Sequence, residues 1–513
     1  MAVMSALDIE ASLAPDVEMI AMLKSLAYLK DADILKVTTL QPSATHDASL
    51  KCGRDRVIGP GGKRLTNSTD TPKAAISDSV AVLLILLCVH DATLFSSVAY
   101  SAGSFSNVIN YQPSTATAMI FGVSLFTLVS AVFAVANFSV GFFLGFYFFT
   151  MILGYLWFER FSFLSYNHHL AVASIILSGA AFFLPSLLVR SPVRQVLQWP
   201  APSFDLMIHG LFLLAAAILV AGAAYHFKLV GLSEMYEFRE EIQYPLVIRY
   251  GAGIITVALL PVAFACWAMS KRYWKAAAAL LIMVAFYPVT LTKLTLLAPF
   301  WLLFLAALSA VVAGRTAVIL SLLLPMSAGI AALTLARWGM IPLDAGRMYF
   351  GNINVRMIAM PSMALEVYNN YFASHPLTHF CQINLLKTLM SCPYHEQLSV
   401  LMRGYNLGAF NASLFATEGI ASVGLWFAPL SALGCGLIIA LGNRLSAGLP
   451  ARFILVSGGM LPVVLLNVPL STNLLTNGVA VLFLLWYVTP RSIFGKETLD
   501  TTSPKPSSIA TLN

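Results

Sequence analysis

An all-α, polytopic membrane helix bundle is the fold class this sequence predicts, on three observations. Of its 513 residues, 58% are hydrophobic and 10% are charged, against about 25% charged in a soluble chain. The mean hydropathy of +0.80 would leave a water-soluble fold too little polar surface to cover itself, a shortage the bilayer removes. The apolar residues also come in runs near the ~20 residues that cross a bilayer as a helix. These lie at about 79–100, 115–136, 139–158, 169–189, 206–226, 250–270, 274–292, 294–313, 316–336, 419–441, 453–468 and 474–490. They predict about 12 transmembrane helices, the seventh and eighth separated only at Thr292-Lys293.

The flanks read differently. Residues 1–78 form a polar segment in which Pro15 to Leu35 fits an amphipathic helix, while 41–73 is rich in Ser, Thr, Gly and basic residues. The expectation is a cytoplasmic, largely disordered tail. No apolar core precedes a small-residue cleavage site there, so it does not read as a signal peptide. Residues 491–513 read as a second cytoplasmic tail.

Charge orients the bundle. With the N-terminus inside, the tail, Arg190 and Arg194, Lys271, Arg272 and Lys275, Arg315, Arg444 and Arg452, and Arg491, Lys496 and Lys505 fall on the cytoplasmic side. That side then collects about twice the Lys and Arg of the other, as the positive-inside rule requires. The net charge of +7 is therefore a topology signal, and no nucleic-acid partner is expected. The reading is a multi-pass protein of the bacterial inner membrane with both termini cytoplasmic. Spans 1–9 occupy 79–336 and spans 10–12 occupy 419–490.

Two segments then face the periplasm: 227–249, and the long 337–418, which is expected to be a loop containing short helices. Connections that long usually carry function. The long segment holds Arg347, Arg356, Arg403, His375, His379 and Glu366, with a helix-like stretch at 357–372. Arginine presents a rigid, permanently charged fork that suits phosphate oxygens, and His or Glu can act as a general base. Each has a plainer alternative. Arg239 stands among glutamates, Arg249 could anchor the sixth span, and each histidine could be a surface residue. Arg347 and Arg356 lie two and a half helical turns apart and would need a bend to converge. Tyr368, Tyr371 and Phe372 could stack on sugars or pack the segment down.

Within the apolar runs, His90 and Asp91 sit near the middle of the first, and Lys293 lies between two others. Buried ionisable groups in a membrane are costly and raise a functional hypothesis, although His90 and Asp91 could equally hold the bundle together. Cys88, Cys266 and Cys435 lie in apolar runs and read as packing residues. Cys381 and Cys392 share the long segment, where an oxidising compartment would permit a disulfide. No zinc pattern, Walker loop or GxSxG elbow occurs, so no metal or cofactor is expected.

The stretches RMYFGNINVRMIAMPSMALEVYNNYFASHPLTHF (347–380), YNLGAFNASLFATEGIASVGLWFAPL (405–430) and GLIIALGNRLSAGLP (436–450) carry a resemblance. In this order of many spans, a long external segment and an Asn- and Gly-rich re-entry, the chain resembles the Wzy-type oligosaccharide repeat-unit polymerases of O-antigen and exopolysaccharide assembly. The resemblance implies a GT-C-like membrane glycosyltransferase that uses an undecaprenyl-pyrophosphate-linked oligosaccharide. A chain-length regulator and a flippase of the same pathway are the further partners it implies. It makes Arg239, Arg249, Arg347, Arg356, Arg403 and Lys293 candidates for the pyrophosphate. His375, His379 and Glu366 become candidates for the base, and Asn411, Tyr368 and Tyr371 for substrate contact. Asn411, Leu414, Glu418 and Gly424 also resemble a series in O-antigen ligases, but Phe410 stands where the ligase histidine would be. A lipid-linked oligosaccharide flippase suits twelve spans too, but predicts two related halves, and none is visible.

Overall fold

The computed structural model describes residues 79–112, 128–197, 199–231, 235, 238, 242, 244–383, 386, 389–408 and 413–494. The expectations for the N-terminal tail, for most of the run at 115–136, for Arg239 and Asn411 and for the end of the C-terminal tail fall outside these residues.

Among the described residues the regular elements are helices, with a lone β-bridge between Ile109 and Ser162. Nine helices among the described residues are long and apolar enough to cross a membrane, and a bent pair makes up to 10. The chain is a multi-pass membrane protein. The long helices are α1 (Val80–Ser101), α2 (Val140–Phe158), α3 (His168–Leu188), α4 (Ala201–Tyr225), α5 (Leu246–Met269), α6 (Tyr273–Thr290), α7 (Lys293–Val311) and α8 (Gly314–Arg337). Their starts are written in the sequence. Ser79, Ser139, Asn167 and Thr292 accept the first free backbone N–H groups of α1, α2, α3 and α7, the role of an N-cap. Pro200 and Pro245 immediately precede α4 and α5, where a missing N–H costs nothing.

The segment expected as a loop containing short helices, with a helix-like stretch at 357–372, begins with one long helix, α9 (343–374). It is α-helical over Leu343–Phe350, π-helical over Gly351–Ala359 and α-helical again over Met360–Ser374. Its first part lies against α8, its π-helical part against α1, and its last part against α2. At the wide turn Asn354, fully buried, donates through Nδ2 to Ser97 Oγ and to Met326 O, each at 3.0 Å. The sequence shows only the 357–372 part as helix-like, because the part before it is too polar to pass as a span; Asn354, Ser362, Glu366 and Asn369 are buried in the bundle.

The tenth expected span is also modified. Residues 415–446 reverse at Gly424, whose φ of +71° is a conformation only glycine adopts without strain. We call the part after the π-helical Phe415–Ile420 α10 (Ala421–Ser446). The two arms lie side by side, since Glu418 O accepts from Ser431 Oγ at 2.7 Å and Glu418 Oε2 from Cys435 Sγ at 3.2 Å. The last two expected spans are broken into α11 (Ala451–Ser457), α12 (Leu461–Leu465), α13 (Leu470–Thr476) and α14 (Val479–Val488), with 65° between the last two. Glu418 receives the Leu470 and Ser471 N–H groups at the start of α13, at 3.1 and 2.6 Å.

Helix ends gather on two faces. On one, Arg444 reaches Ser191 O, Arg315 reaches Ala134 O and Ala136 O, and Arg491 bonds carbonyls at the ends of α10 and α14. On the other, Asn110 N donates to Phe161 O, and Thr378 N and His379 N donate to Ala421 O and Ser422 O. Arg272 lies near the first face too, lining one cavity with Ile493.

At the centre stands α2, every residue of which is buried. By contrast α4 exposes Leu206, Leu213 and Val220 and faces lipid. Glycines let neighbours approach α2. A Cβ at Gly141 would strike Ser186 O, and one at Gly154 would strike Ser362 Oγ. His90, expected as either a functional or a bundle-holding group, bonds Asp91 at 2.9 Å and Thr150 of α2 at 3.3 Å. Both residues are buried, an arrangement that ties α1 to α2. Cys266 and Cys435 are buried and Cys88 is exposed.

Asn443 closes the basic end of this core. Its Oδ1 accepts from Gly141 N at 2.7 Å, and its Nδ2 donates to Ser186 O at 2.6 Å and Val189 O at 3.1 Å. Asn443→Leu leaves three backbone groups without a partner, each worth about 1–3 kcal/mol when buried. The variant should melt well below the parent and accumulate poorly in membranes. An unchanged melting temperature would remove Asn443 from this role.

Candidate active site

The last part of α9 carries polar residues at helical spacing among apolar ones. Ser362, Glu366 and Asn369 are four and three positions apart and share a face. All three are buried, and that face meets α2 and the turn that follows it. Ser362 Oγ donates to Met151 O at 2.9 Å, and Asn369 Nδ2 donates to Tyr155 OH at 3.0 Å. Tyr166 OH, in the turn between α2 and α3, donates to Glu366 Oε2 at 2.6 Å.

Glu366 is fully enclosed, and its Oε1 has no hydrogen bond of good geometry. Burial pushes its carboxyl up to about 8, helped by the nearby Glu159 carboxylate and opposed by the Tyr166 and Ser162 hydroxyls. Desolvation disfavours the charged form of an acid, which accounts for the direction. Burial also pushes the Tyr166 hydroxyl up, so it stays a donor. Glu159 lies 3.3 Å from His168 Nδ1 and 3.4 Å from Arg160 Nε. The His168 ring lies 4.0 Å from that of Tyr166. The result is a carboxyl that changes protonation near neutral pH, the property a general base or acid needs.

Beyond Glu366, α9 ends in an aromatic surface. The Tyr371 and His375 rings stack at 3.9 Å and 9°, and His375 Nδ1 lies 2.8 Å from Tyr371 O. Tyr394 OH donates to Pro376 O at 2.6 Å, and Asn370 Nδ2 donates to Tyr405 OH at 2.7 Å. Cys381 and Cys392 form a disulfide with their Cα atoms 5.3 Å apart.

The sequence-derived candidates separate into distinct environments. Among the three base candidates, Glu366 is buried, His375 is exposed on the Tyr371 stack, and His379 is exposed in the turn bonded to Ser422 O. Tyr371 is half-buried beside the exposed end of α9, whereas Tyr368 is fully enclosed and takes the packing alternative. Arg347 is exposed and Arg356 half-buried on either side of the start of the π-helical turn; Arg249 is exposed on the first turn of α5. These three arginines make no side-chain hydrogen bond or ion pair among the described residues. Arg403 is exposed two residues before Tyr405, and Lys293 is half-buried at the start of α7. No contact between their side chains draws Arg249, Arg347 and Arg356 together among the described residues.

Tyr166, Tyr155, Asn369, Tyr394 and Tyr405 were not anticipated. The Ser362-Glu366-Asn369 spacing within the helix-like stretch at 357–372 was the available signal, but which face of that helix is buried is set by residues far away in the chain.

A raised carboxyl makes stability depend on pH. Between the ordinary glutamate range and about 8 the unfolded chain releases a proton that the folded chain keeps, so stability falls as pH rises through that window. Glu366→Gln should flatten this slope in a series of melting temperatures. Tyr166→Phe, by removing a hydrogen bond that favours the anion, should extend the falling limb to higher pH. Equal slopes in parent and Glu366→Gln would mean that Glu366 is not held protonated.

Comparisons with protein-family models, curated proteins and solved structures give no match for this chain.

Proposed function

We propose that this chain is a membrane glycosyltransferase that polymerises undecaprenyl-pyrophosphate-linked oligosaccharide repeat units into O-antigen or exopolysaccharide at the periplasmic face of the bacterial inner membrane. The observation that carries the reading is the buried Glu366, raised to about 8 and held by Tyr166, on the helix that also presents the Tyr371–His375 stack. In the reaction the acceptor hydroxyl oxygen bonds to the anomeric carbon of the donor, and its proton passes to the half-buried Tyr166 oxygen as Tyr166 gives its own proton to the enclosed Glu366 carboxylate. The bond from that carbon to the pyrophosphate breaks, and the electron pair leaves on phosphate oxygen. Arg347 and Arg356, which make no side-chain hydrogen bond or ion pair among the described residues, receive this charge, with Arg239, Arg249, Arg403 and Lys293 as further cations. Such electrostatic stabilisation lets a good leaving group depart without a general acid. Tyr371 and His375 offer a flat surface to a sugar.

The topology belongs to the same reading: about 12 crossings, cytoplasmic termini, and α9 with the turns after it at the periplasmic side. The basic turns support the orientation. The chain-length regulator and flippase of the pathway remain its proposed partners.

One observation favours a second reading, a lipid-linked oligosaccharide flippase. Helices α11 to α14 are broken, and α13 begins on the buried Glu418, as interrupted helices do around transporter sites.

In a strain lacking the protein, repeat units should reach the outer leaflet and stay unpolymerised. Glu366→Gln should restore membrane protein but not polymer. Arg347→Ala and Arg356→Ala should each cut polymer by ~tenfold or more, the scale of a lost charge-assisted hydrogen bond. Repeat units held on the cytoplasmic leaflet would instead identify the flippase. Full polymer in Glu366→Gln would remove Glu366 as the base.

A further inference from the structure

On the basic face, away from α9, the first turns of α4 meet the turn between α5 and α6. Asp205 and His209 are one helical turn apart on α4, while Arg272 and Lys275 flank the start of α6. Arg272 Nη1 alone donates to both Asp205 oxygens, at 2.7 and 2.8 Å. Its Nη2 and Nε make no hydrogen bond among the described residues, and about half of the side chain is exposed. Lys275 Nζ lies 2.6 Å from His209 Nε2, and His209 Nδ1 lies 2.7 Å from Asp205 O. A lysine ammonium has only donors, so Nε2 is the acceptor in the contact with Lys275. Two cations then face one carboxylate, and a positive charge is left over.

Two cavities adjoin this network. One, of about 450 Å³, is lined by Asp205, Arg272, Ser270, Trp267 and Ile493. The other, of about 300 Å³, lies past His209 and Lys275 and is lined by Phe212, Leu213, Trp267 and Ala278. Trp267 borders both. The second opens among lipid-facing residues, with Leu213 66% exposed and Leu281 on α6 at 69%. Trp274, beside Arg272 and Lys275, is 90% exposed, and tryptophans of this kind sit at headgroup depth. Arg272 and Asp205 thus line a cavity of mixed character, and Lys275 lines a neighbouring, mostly apolar one that shares Trp267 with it.

We propose that this is a site for one anionic phospholipid, its phosphate on Arg272 and Lys275 and one acyl chain along Phe212, Leu213 and Ala278. The free edge of the guanidinium gives two parallel donors to phosphate oxygens. The apolar compartment sets a lipid apart from free phosphate, which would use only the first cavity. The site is independent of the reaction proposed above.

The test uses the full chain in a neutral detergent, with phosphatidylglycerol, phosphatidylcholine or inorganic phosphate added. Retained lipid is read by native mass spectrometry and protection by melting temperature. Phosphatidylglycerol should be retained and should raise the melting temperature, phosphatidylcholine should do so more weakly, and inorganic phosphate should do neither. Arg272→Gln with Lys275→Gln should weaken retention by ~tenfold or more. Leu213→Trp, which fills the apolar compartment and leaves every charge in place, should weaken it as well and guards against misfolding of the charge variant. Retention unchanged in either variant would overturn the proposal. Full protection by inorganic phosphate alone would also overturn it, in favour of a free-anion site.

Discussion

The structure depends on a helix without a lipid face. In a bilayer there is no hydrophobic gain in bringing helices together, because acyl chains are as apolar as leucine, so association rests on close packing and on polar groups that find partners. The helix α2 meets both demands. Its aromatic side chains interlock with Phe133, Phe182 and Phe415, and its glycines admit the backbone of α3 and Ser362 of α9. Asn443 joins its start to the end of α3. Because α2 is enclosed on all sides, the turn after it is fixed, and this turn carries Glu159, Ser162 and Tyr166.

That fixed turn is why a carboxyl can be buried on α9. A fully desolvated carboxylate would be costly, and the protein lessens the cost by keeping the proton on and by supplying a single strong donor in Tyr166. The same arrangement gives Glu366 a protonation change near neutral pH. Perturbed groups of this kind often mark functional sites, although structural networks produce them too. Glu418 is the contrasting case. Its oxygens are occupied by two backbone N–H groups and a thiol, and it serves the join between α10 and α13.

Much of the helical layout was legible in the sequence, since long apolar runs, N-cap Ser, Asn and Thr residues and helix-starting prolines all act locally. The runs at 274–292 and 294–313 separate where Thr292 caps α7. What stayed hidden depends on contacts between distant residues. The α9 helix is polar in composition because its polar side chains are answered from α1, α2 and α8, which no local window can register. The reversal at Gly424 interrupts an unbroken apolar run. The site was legible in part: Glu366 stood among the base candidates, but its partner Tyr166 lies two hundred positions away. The arginines were chosen for their charge and their place in the chain, neither of which determines what they face.

The most direct measurement is infrared difference spectroscopy of the purified chain across a pH series, following the carbonyl stretch of protonated carboxyls in the parent and in Glu366→Gln. The account predicts a band that persists at neutral pH, titrates away near 8 and is missing from the variant. A Glu366 that is already ionised at pH 6 would contradict it, and would leave the buried contact with Tyr166 as an ordinary structural hydrogen bond.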